Sequence, residues 1–169
     1  MCNYFKRKLL VFLYVLFYNI NMYDLAKILP HKPPMILLDE IVEVDIENNK
    51  LTSSFKVYPD KVFFEKNRGI NSLTGIEFMA QTIGAYAYFK NNCAEPKPGL
   101  LLGTRLYNNK IPYFKEGEEY KVTVHEIFTD NQIAVFDCLI YDKSRDEIAS
   151  ATVNTYQGNN IEELLESGE

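Results

Sequence analysis

The stretch that decides the fold is GIEFMAQTIGAYAYFKN, residues 75–91. Its apolar and small residues recur three and four positions apart, which predicts one long helix with a single stripe facing the core. The stripe consists of Ile76, Met79, Ala80, Ile83, Gly84 and Ala87. Because three of these residues are small, the stripe predicts a helix that lies close to whatever it packs against.

Nearly all of the remaining chain predicts strands and turns, because strand-like runs alternate with clusters of turn residues. Strands are expected at residues 35–45, 51–58, 100–107, 120–128, 132–142 and 148–156, with a short helix at 24–29 capped by Asp24 and an irregular loop at 59–73. One broadly apolar helix and about six strands are best satisfied by an antiparallel sheet that curls around the helix. The predicted fold class is therefore α+β.

The N-terminal segment has a basic cluster, Lys6 to Lys8, followed by the apolar run of residues 9–18. This pattern imitates a signal peptide, but no small-residue cleavage site follows it and the run is too short to span a bilayer. Met22 offers a second possible start. We expect an N-terminal extension at residues 1–21, arising from a mis-assigned start or a signal-like segment. A single domain at 22–158 and an acidic tail at 159–169 complete the expected organisation.

Composition restricts the function classes. The chain has 169 residues, 47% of them hydrophobic, and a formal net charge of −5, which argues against a nucleic-acid partner. Three cysteines, Cys2, Cys93 and Cys138, form no C-x-x-C pair, which favours a reducing, cytoplasmic location. No close spacing of histidines, cysteines or carboxylates predicts a metal site, and no phosphate-binding loop is present in the sequence. We expect neither a metal nor a cofactor.

Only two histidines are available for acid–base chemistry. His125 lies in an alternating strand pattern, where a solvated strand residue is the expected role. His31 lies between Pro30 and the pair Pro33-Pro34, on a stiff extended loop that suits either a structural corner or a presented side chain.

Glu77 is the most informative carboxylate, because it lies one turn into the long helix and shares a face with Gln81. One interpretation is a capping box, in which Thr74 and Glu77 satisfy the first backbone N–H groups of the helix. The other is a carboxylate with a tuned pKa that moves protons, beside free N–H groups such as that of Gly75 that polarise a carbonyl oxygen. Spacing alone leaves both interpretations open.

Two motifs carry a family resemblance. LPHKPPMILLDEI at residues 29–41 and GIEFMAQ at residues 75–81 together resemble the hotdog-fold 3-hydroxyacyl-[acyl-carrier-protein] dehydratases of fatty-acid synthesis. LLGTR at 101–105 and NTYQ at 154–157 are more similar to the subgroup found in aryl-polyene biosynthesis clusters. The resemblance implies a hotdog fold, in which a central helix is wrapped by a sheet and two subunits share active sites at their interface.

The family eliminates water from 3-hydroxyacyl thioesters, using a helix glutamate and a histidine in a G-H-F-P loop. Glu77 matches the glutamate, but the corresponding loop here, FFEKNRGI at residues 63–70, contains no histidine. Its nearest counterpart by position is Asn67, which cannot act as a base. The resemblance therefore implies Glu77 as a catalytic residue. We expect His31 as the catalytic residue that replaces the missing base, and Gly75, Gln81 and Asn67 as substrate-binding residues.

Three functions remain open at this point. The chain is an active dehydratase in which His31 or a water replaces the missing base, a hotdog thioesterase that uses Glu77 alone, or a weakly active partner of another hotdog protein. Expected partners are an acyl carrier protein and a second hotdog subunit, in a homodimer or heterodimer. An acidic domain needs a local basic patch to attract an acidic carrier. Candidates for this patch are Lys32, Lys66, Arg68 and Arg105.

Overall fold

A six-stranded antiparallel sheet wraps around one long helix in residues 23–158, the part of the chain that the computed structural model describes. In chain order the elements are α1 (Leu25–Ile28), β1 (Glu40–Asp45), β2 (Lys50–Lys56), β3 (Phe64–Glu65), β4 (Gly69–Asn71), a 3₁₀ turn (Ser72–Thr74), α2 (Gly75–Lys90), β5 (Leu100–Asn109), β6 (Tyr113–Phe114), β7 (Glu119–Asp130), β8 (Ile133–Tyr141) and β9 (Glu147–Tyr156). The large sheet has the order β1-β2-β7-β8-β9-β5, and β3, β4 and β6 form a smaller sheet. The α+β prediction is confirmed.

Helix α2 packs against the sheet through an aromatic cluster. The Phe78 ring stacks on that of Phe55 with 3.6 Å between centroids, and Phe114 meets both rings edge to face. One turn further on, Thr82 shares a hydrogen bond of 2.7 Å with Ser53 on β2. The side of α2 that carries Phe78 and Thr82 therefore packs on the sheet. The predicted bounds of this helix agree with the structure within one residue.

The predicted stripe of α2 divides into two parts. Met79 and Ile83 are buried in the core, whereas Ala80, Gly84 and Ala87 are only half-buried. A Cβ placed on Gly84 would meet nothing nearer than the Leu29 side chain, at an ordinary 3.7 Å. The close packing predicted for the small residues is therefore wrong, because they border an open groove instead.

Two predicted boundaries also differ from the structure. The strand expected at 35–45 begins only at Glu40, because the Leu37 N–H donates to the side chain of Gln81 instead of to a neighbouring strand. The loop expected at 59–73 contains β3, β4 and the 3₁₀ turn. Strands of two or three residues are too short for an alternating pattern to reveal.

Strand β5 is an edge of the large sheet, since it pairs only with β9. Its register shifts between Arg105 and Asn108, and Leu106 in this bulge has a φ of 55° and is 77% exposed. The neighbouring Tyr107 turns inward, where its hydroxyl donates to the Ser72 carbonyl at the start of α2. The bulge thus joins the edge strand to the helix start, as bulges commonly re-aim a side chain.

Asp24 caps α1 as predicted, by accepting a hydrogen bond from the Ala26 N–H at 3.1 Å. None of the helices within residues 23–158 has both the length and the apolar character needed to cross a bilayer. The predictions for residues 1–21 and 159–169 fall on segments outside the described residues.

Candidate active site

His31 and Glu77 meet at one end of α2. His31 Nε2 lies 3.5 Å from Glu77 Oε1, and the two side chains are 34% and 35% exposed. The proline-rich loop after α1 presents the histidine, and the first turn of α2 presents the glutamate. The structure therefore brings together the two predicted catalytic residues, and both remain accessible to a ligand.

The two nitrogens of His31 have different environments. Nδ1 is buried, and no partner for it exists among the described residues. Nε2 faces Glu77. Only Nε2 is therefore placed to exchange a proton with a ligand at this site.

Gln81 fixes the position of Glu77. Its side chain is fully buried, and its Nε2 donates to Glu77 Oε1 and to the Met35 carbonyl, both at 2.8 Å. Its Oε1 accepts from the Leu37 N–H at 2.9 Å. Because all of these bonds are to protein atoms, the environment of Gln81 is that of a positioning residue rather than of a substrate contact.

The capping-box interpretation of Glu77 is wrong. Thr74 makes no side-chain hydrogen bond at the start of α2, because a 3₁₀ turn precedes the helix and holds Thr74 in a helical conformation. The Gly75 N–H is not free either, since it is directed at the carbonyl oxygens of Ser72 and Leu73. A side chain at Gly75 would collide with the Tyr107 hydroxyl. This glycine therefore makes room for the tyrosine, and its N–H does not serve a ligand.

A groove of about 360 Å³ runs along α2 from the His31–Glu77 pair. The small residues Ala80, Gly84 and Ala87 form its helix wall. The opposite wall comes from the sheet and from the end of β9, and includes Ala134, Phe136, Thr155 and Tyr156. Apolar and polar groups share the lining of the groove, and a concave site of this kind is typical of a small-molecule ligand.

At its other end the groove reaches Lys90 and Glu126. Lys90 Nζ donates to both carboxylate oxygens of Glu126, at 2.6 and 2.8 Å, and the glutamate side chain is only 8% exposed. Burial and the Glu126 charge raise the pKa of the adjacent Tyr86 to about 12. The sequence analysis missed this pair. Glu126 lies on the same inward face of β7 as Val122 and Val124. An acidic residue at an inward strand position indicates a buried partner, and this signal could have been read from the alternation.

The other predicted site residues lie elsewhere. Asn67, Lys66 and Arg68 share the turn between β3 and β4, and none of them lines the groove. Arg68 contacts the Tyr113 hydroxyl at 3.1 Å and Glu65 at 3.3 Å, and both contacts raise its pKa. Lys32, next to His31, is exposed.

Arg105 is exposed on the edge strand β5. The predicted basic residues therefore lie in three separate places: the loop after α1, the turn between β3 and β4, and strand β5. Within residues 23–158, no three histidine, cysteine or acidic side chains are grouped so as to hold a metal ion.

Comparison with solved structures gives the fold family. The dehydratase heterocomplex ApeI:P from Xenorhabdus doucetiae is similar at 25% identity, with 87% of this chain and 99% of that chain covered and a TM-score of 0.76. The PaaI protein of the E. coli phenylacetic acid degradation operon is 14% identical over 69% of this chain and 81% of its own, with a TM-score of 0.54. A hypothetical thioesterase from Streptococcus pneumoniae, solved with coenzyme A, is 13% identical over 70% and 84%, with a TM-score of 0.56.

The last two likenesses show the fold alone, and together with the first they confirm the hotdog fold. The family model described as ApeP-like, ApeP dehydratase, matches residues 23–166, which is most of the chain. The chain therefore belongs to the ApeP-like dehydratase family.

Proposed function

We propose that the chain eliminates water from 3-hydroxyacyl thioesters carried on an acyl carrier protein, giving trans-2-enoyl thioesters in biosynthesis of the fatty-acid or aryl-polyene type. The observation that carries the proposal is the His31–Glu77 pair, 3.5 Å apart at one end of the groove along α2. Such a pair supplies two proton-transferring groups, which is what an elimination across two adjacent carbons needs. No cofactor takes part.

The proposed reaction moves two protons, one through each residue of the pair. His31 Nε2 accepts the proton from C2, the carboxyl group of Glu77 donates its proton to the C3 hydroxyl, and the C3–O bond breaks to release water. The C2–H electron pair becomes the new double bond. Nε2 then returns its proton to Glu77 Oε1, its neighbour at 3.5 Å, and the pair is reset.

Gln81 supports this chemistry from the protein side. Its Nε2 holds Glu77 Oε1 at 2.8 Å while its other bonds fix the segment that follows the His31 loop. A shared anchor for both catalytic residues keeps their separation constant, and fixed geometry of reacting groups lowers the barrier. We therefore assign Gln81 as a positioning residue.

The edge strand β5 supports pairing with a second hotdog subunit, either identical or different. It leaves Leu101, Leu102 and Leu106 exposed beside unpaired backbone groups, and such an edge is a template for strand addition. We assign Asn67, with Lys66 and Arg68, to the rim of the site of the paired subunit, since this turn does not line the groove of its own chain.

The carrier protein is expected to dock beside the substrate entrance. Lys32 adjoins the catalytic histidine and Arg105 lies on the edge strand, so both supply positive charge for an acidic carrier. Cys93 and Cys138 are free, which favours a reducing compartment, and we place the reaction in the cytoplasm.

The test is an assay of the full chain, in the oligomer that it forms, with 3-hydroxyacyl and 2-enoyl thioesters on carrier protein. Glu77→Gln and His31→Ala are each expected to lower kcat by about 10²–10⁴-fold, the usual contribution of one acid–base group. Glu47→Gln and His125→Ala are the matched controls, since neither residue lines the groove, and both should keep the parent rate.

Other outcomes would replace the proposal by its alternatives. Release of free thiol without enoyl formation would make the chain a thioesterase that uses Glu77. Acyl binding without turnover, together with a stable complex with another hotdog protein, would make it a non-catalytic partner. A full rate in His31→Ala would remove the histidine from the mechanism.

A further inference from the structure

The segment between the His31 loop and β1 is buried but belongs to no strand. Leu37 and Leu38 are 2% and 3% exposed, and β1 begins only at Glu40. Backbone N–H and C=O groups that are buried outside a sheet must find other partners, because an unpaired one costs about as much free energy as a lost hydrogen bond. The partners of this segment therefore determine how firmly it is held.

Two side chains clamp the backbone of Leu37 from different elements. Its N–H donates to Gln81 Oε1 at 2.9 Å, and its carbonyl oxygen accepts from Lys61 Nζ at 2.6 Å. Gln81 lies on α2, whereas Lys61 lies in the loop between β2 and β3. The segment is thus tied to the long helix through one backbone group and to a loop of the sheet through the other.

The ammonium group of Lys61 is itself fixed. Its side chain is 12% exposed, and Nζ also donates to Asp39 Oδ2 at 2.8 Å. The same carboxylate oxygen accepts from the Lys56 N–H on β2, at 2.6 Å. A nearly buried ammonium needs acceptors and an opposite charge, and the carboxylate of Asp39 supplies both. Lys61 is therefore held at the position from which it reaches the Leu37 carbonyl.

The clamped segment continues directly from the loop that carries His31. The Met35 N–H donates to the Lys32 carbonyl at 2.8 Å, which closes a turn immediately after His31. The Met35 carbonyl accepts from Gln81 Nε2, also at 2.8 Å. The position of His31 thus depends on a turn whose far end lies two residues before Leu37.

Glu77 depends on the same clamp from the helix side. Gln81 Nε2 donates to Glu77 Oε1 at 2.8 Å, and Lys61 holds the backbone of Leu37 against Gln81. Without the lysine, the segment would keep only its bonds to the helix. The distance of 3.5 Å between His31 Nε2 and Glu77 Oε1 would then no longer be fixed.

We propose that Lys61 is a positioning residue for the His31–Glu77 pair, acting through the backbone of residues 35–39. Its side-chain hydrogen bonds go to Leu37 and Asp39, and it is not among the residues that line the groove. The inference rests on the proposed function for the reaction. It adds a residue outside the site that sets the geometry of the reacting groups.

The experiment measures dehydration by Lys61→Met and Lys61→Arg in the full chain, in the oligomer that it forms. Methionine keeps the length of the side chain without its donors, and kcat should fall about tenfold or more, since a displacement of about 1 Å in a reacting group costs about 10²-fold. KM should change by less than about twofold, because Lys61 lies outside the groove. Arginine keeps the charge and the N–H donors, so Lys61→Arg should recover most of the rate.

A double variant tests whether Lys61 and Gln81 act through the same segment. Gln81→Met removes the other half of the clamp, and substitutions that share a partner are not additive in their effects. Lys61→Met/Gln81→Met should therefore lose less in kcat than the product of the two single losses. A loss equal to that product would mean that the two residues act independently, and it would overturn the proposed route.

Two controls separate positioning from a loss of stability. Lys27→Met breaks an exposed ion pair on α1, and Tyr120→Phe removes a part-buried hydrogen bond at the start of β7. Both should keep the parent kcat, and circular dichroism melting checks that each variant is folded. If Lys61→Met does not fold, Lys61→Met/Asp39→Asn is measured, since it leaves no carboxylate without its cation while the Leu37 carbonyl still loses its donor.

Nuclear magnetic resonance of the His31 ring gives a readout that does not depend on turnover. Lys61→Met should shift the ring resonances, and Lys61→Arg should leave them close to those of the parent. Parent-like kcat and resonances in Lys61→Met, where His31→Ala is inactive, would overturn the positioning role and leave the dehydratase intact. Shifted resonances in a chain that dehydrates nothing would retain Lys61 as a support of the pair and reject the proposed reaction.

Discussion

The two ends of α2 each pair a carboxylate with a nitrogen base, and the two pairs are built differently. At the N-terminal end, His31 Nε2 and Glu77 Oε1 are 3.5 Å apart and about a third exposed. At the C-terminal end, Lys90 holds both oxygens of Glu126, the nearer at 2.6 Å, and the carboxylate is almost fully buried. We call the first pair the open pair, because its two side chains are 3.5 Å apart, and the second the closed pair, because two short hydrogen bonds join its members although Lys90 is 36% exposed.

The difference separates chemical from positional roles. A carboxylate that transfers protons must be within reach of a ligand, and Glu77 is 35% exposed although Gln81 holds one of its oxygens. A buried carboxylate bonded twice to an ammonium depends on that partner, since losing it would leave an uncompensated charge. The catalytic proposal therefore belongs to the N-terminal pair, and the C-terminal pair has a structural role at the end of α2.

The largest expected effect breaks the closed pair. Lys90→Met leaves the buried Glu126 without its cation, and we expect the free energy of unfolding to fall by about 2 kcal/mol, less than for a fully buried pair because Lys90 is 36% exposed. Glu77→Gln should change it by less than about 0.5 kcal/mol, because exposed ion pairs contribute little and an amide can still accept from Gln81. Urea denaturation measures the free energy of unfolding of both variants and of the parent.

Lys110→Met is the control for removing a lysine, since its contact with Glu147 is exposed and 3.7 Å long. A variant in which Glu126 is replaced as well should recover most of the stability that Lys90→Met loses. Equal losses in Lys90→Met and Glu77→Gln would contradict the distinction between the closed and the open pair.

A smaller effect is expected at Tyr107 of β5, whose hydroxyl lies at the N-terminal end of α2. Burial raises the pKa of Tyr107 from 10.0 to about 12, so at alkaline pH the unfolded chain loses this proton before the folded chain does. The stabilisation is present in full below pH 10 and declines as the pH rises to 12. Tyr107→Phe removes both this titration and the hydrogen bond to Ser72, which costs about 1 kcal/mol at neutral pH.

The measurement is urea denaturation of parent and Tyr107→Phe between pH 8 and 12. Only the parent loses stability when Tyr107 ionises in the unfolded chain. The difference in the free energy of unfolding between the parent and Tyr107→Phe should therefore narrow as the pH rises. Tyr113→Phe is the control, because the Tyr113 hydroxyl contacts Arg68 and Glu65 and not the start of α2. A constant difference over this range would show that the Tyr107 phenol is not protected by the fold.

The sequence predicted the elements of the fold more fully than the contacts of the site. Helix α2 and the long strands follow from periodicity, and Glu77 and His31 were found from their motif and their rigid loop. The distance between them depends on how the His31 loop lies across the helix, which no local pattern encodes. The Lys90–Glu126 pair joins residues 36 positions apart and was missed, although the inward position of Glu126 indicated it.

The smallest expected effect concerns the capping-box motif at the start of α2. Thr74 and Glu77 fit a capping box, and a cap of this kind contributes about 1 kcal/mol. In the structure Thr74 makes no capping bond and Glu77 faces Gln81, so Thr74→Ala should change the free energy of unfolding by less than about 0.5 kcal/mol. Asp24→Ala is the matched variant, because Asp24 does cap its helix. A loss near 1 kcal/mol in Thr74→Ala would restore the capping role and weaken the assignment of Glu77 to the open pair.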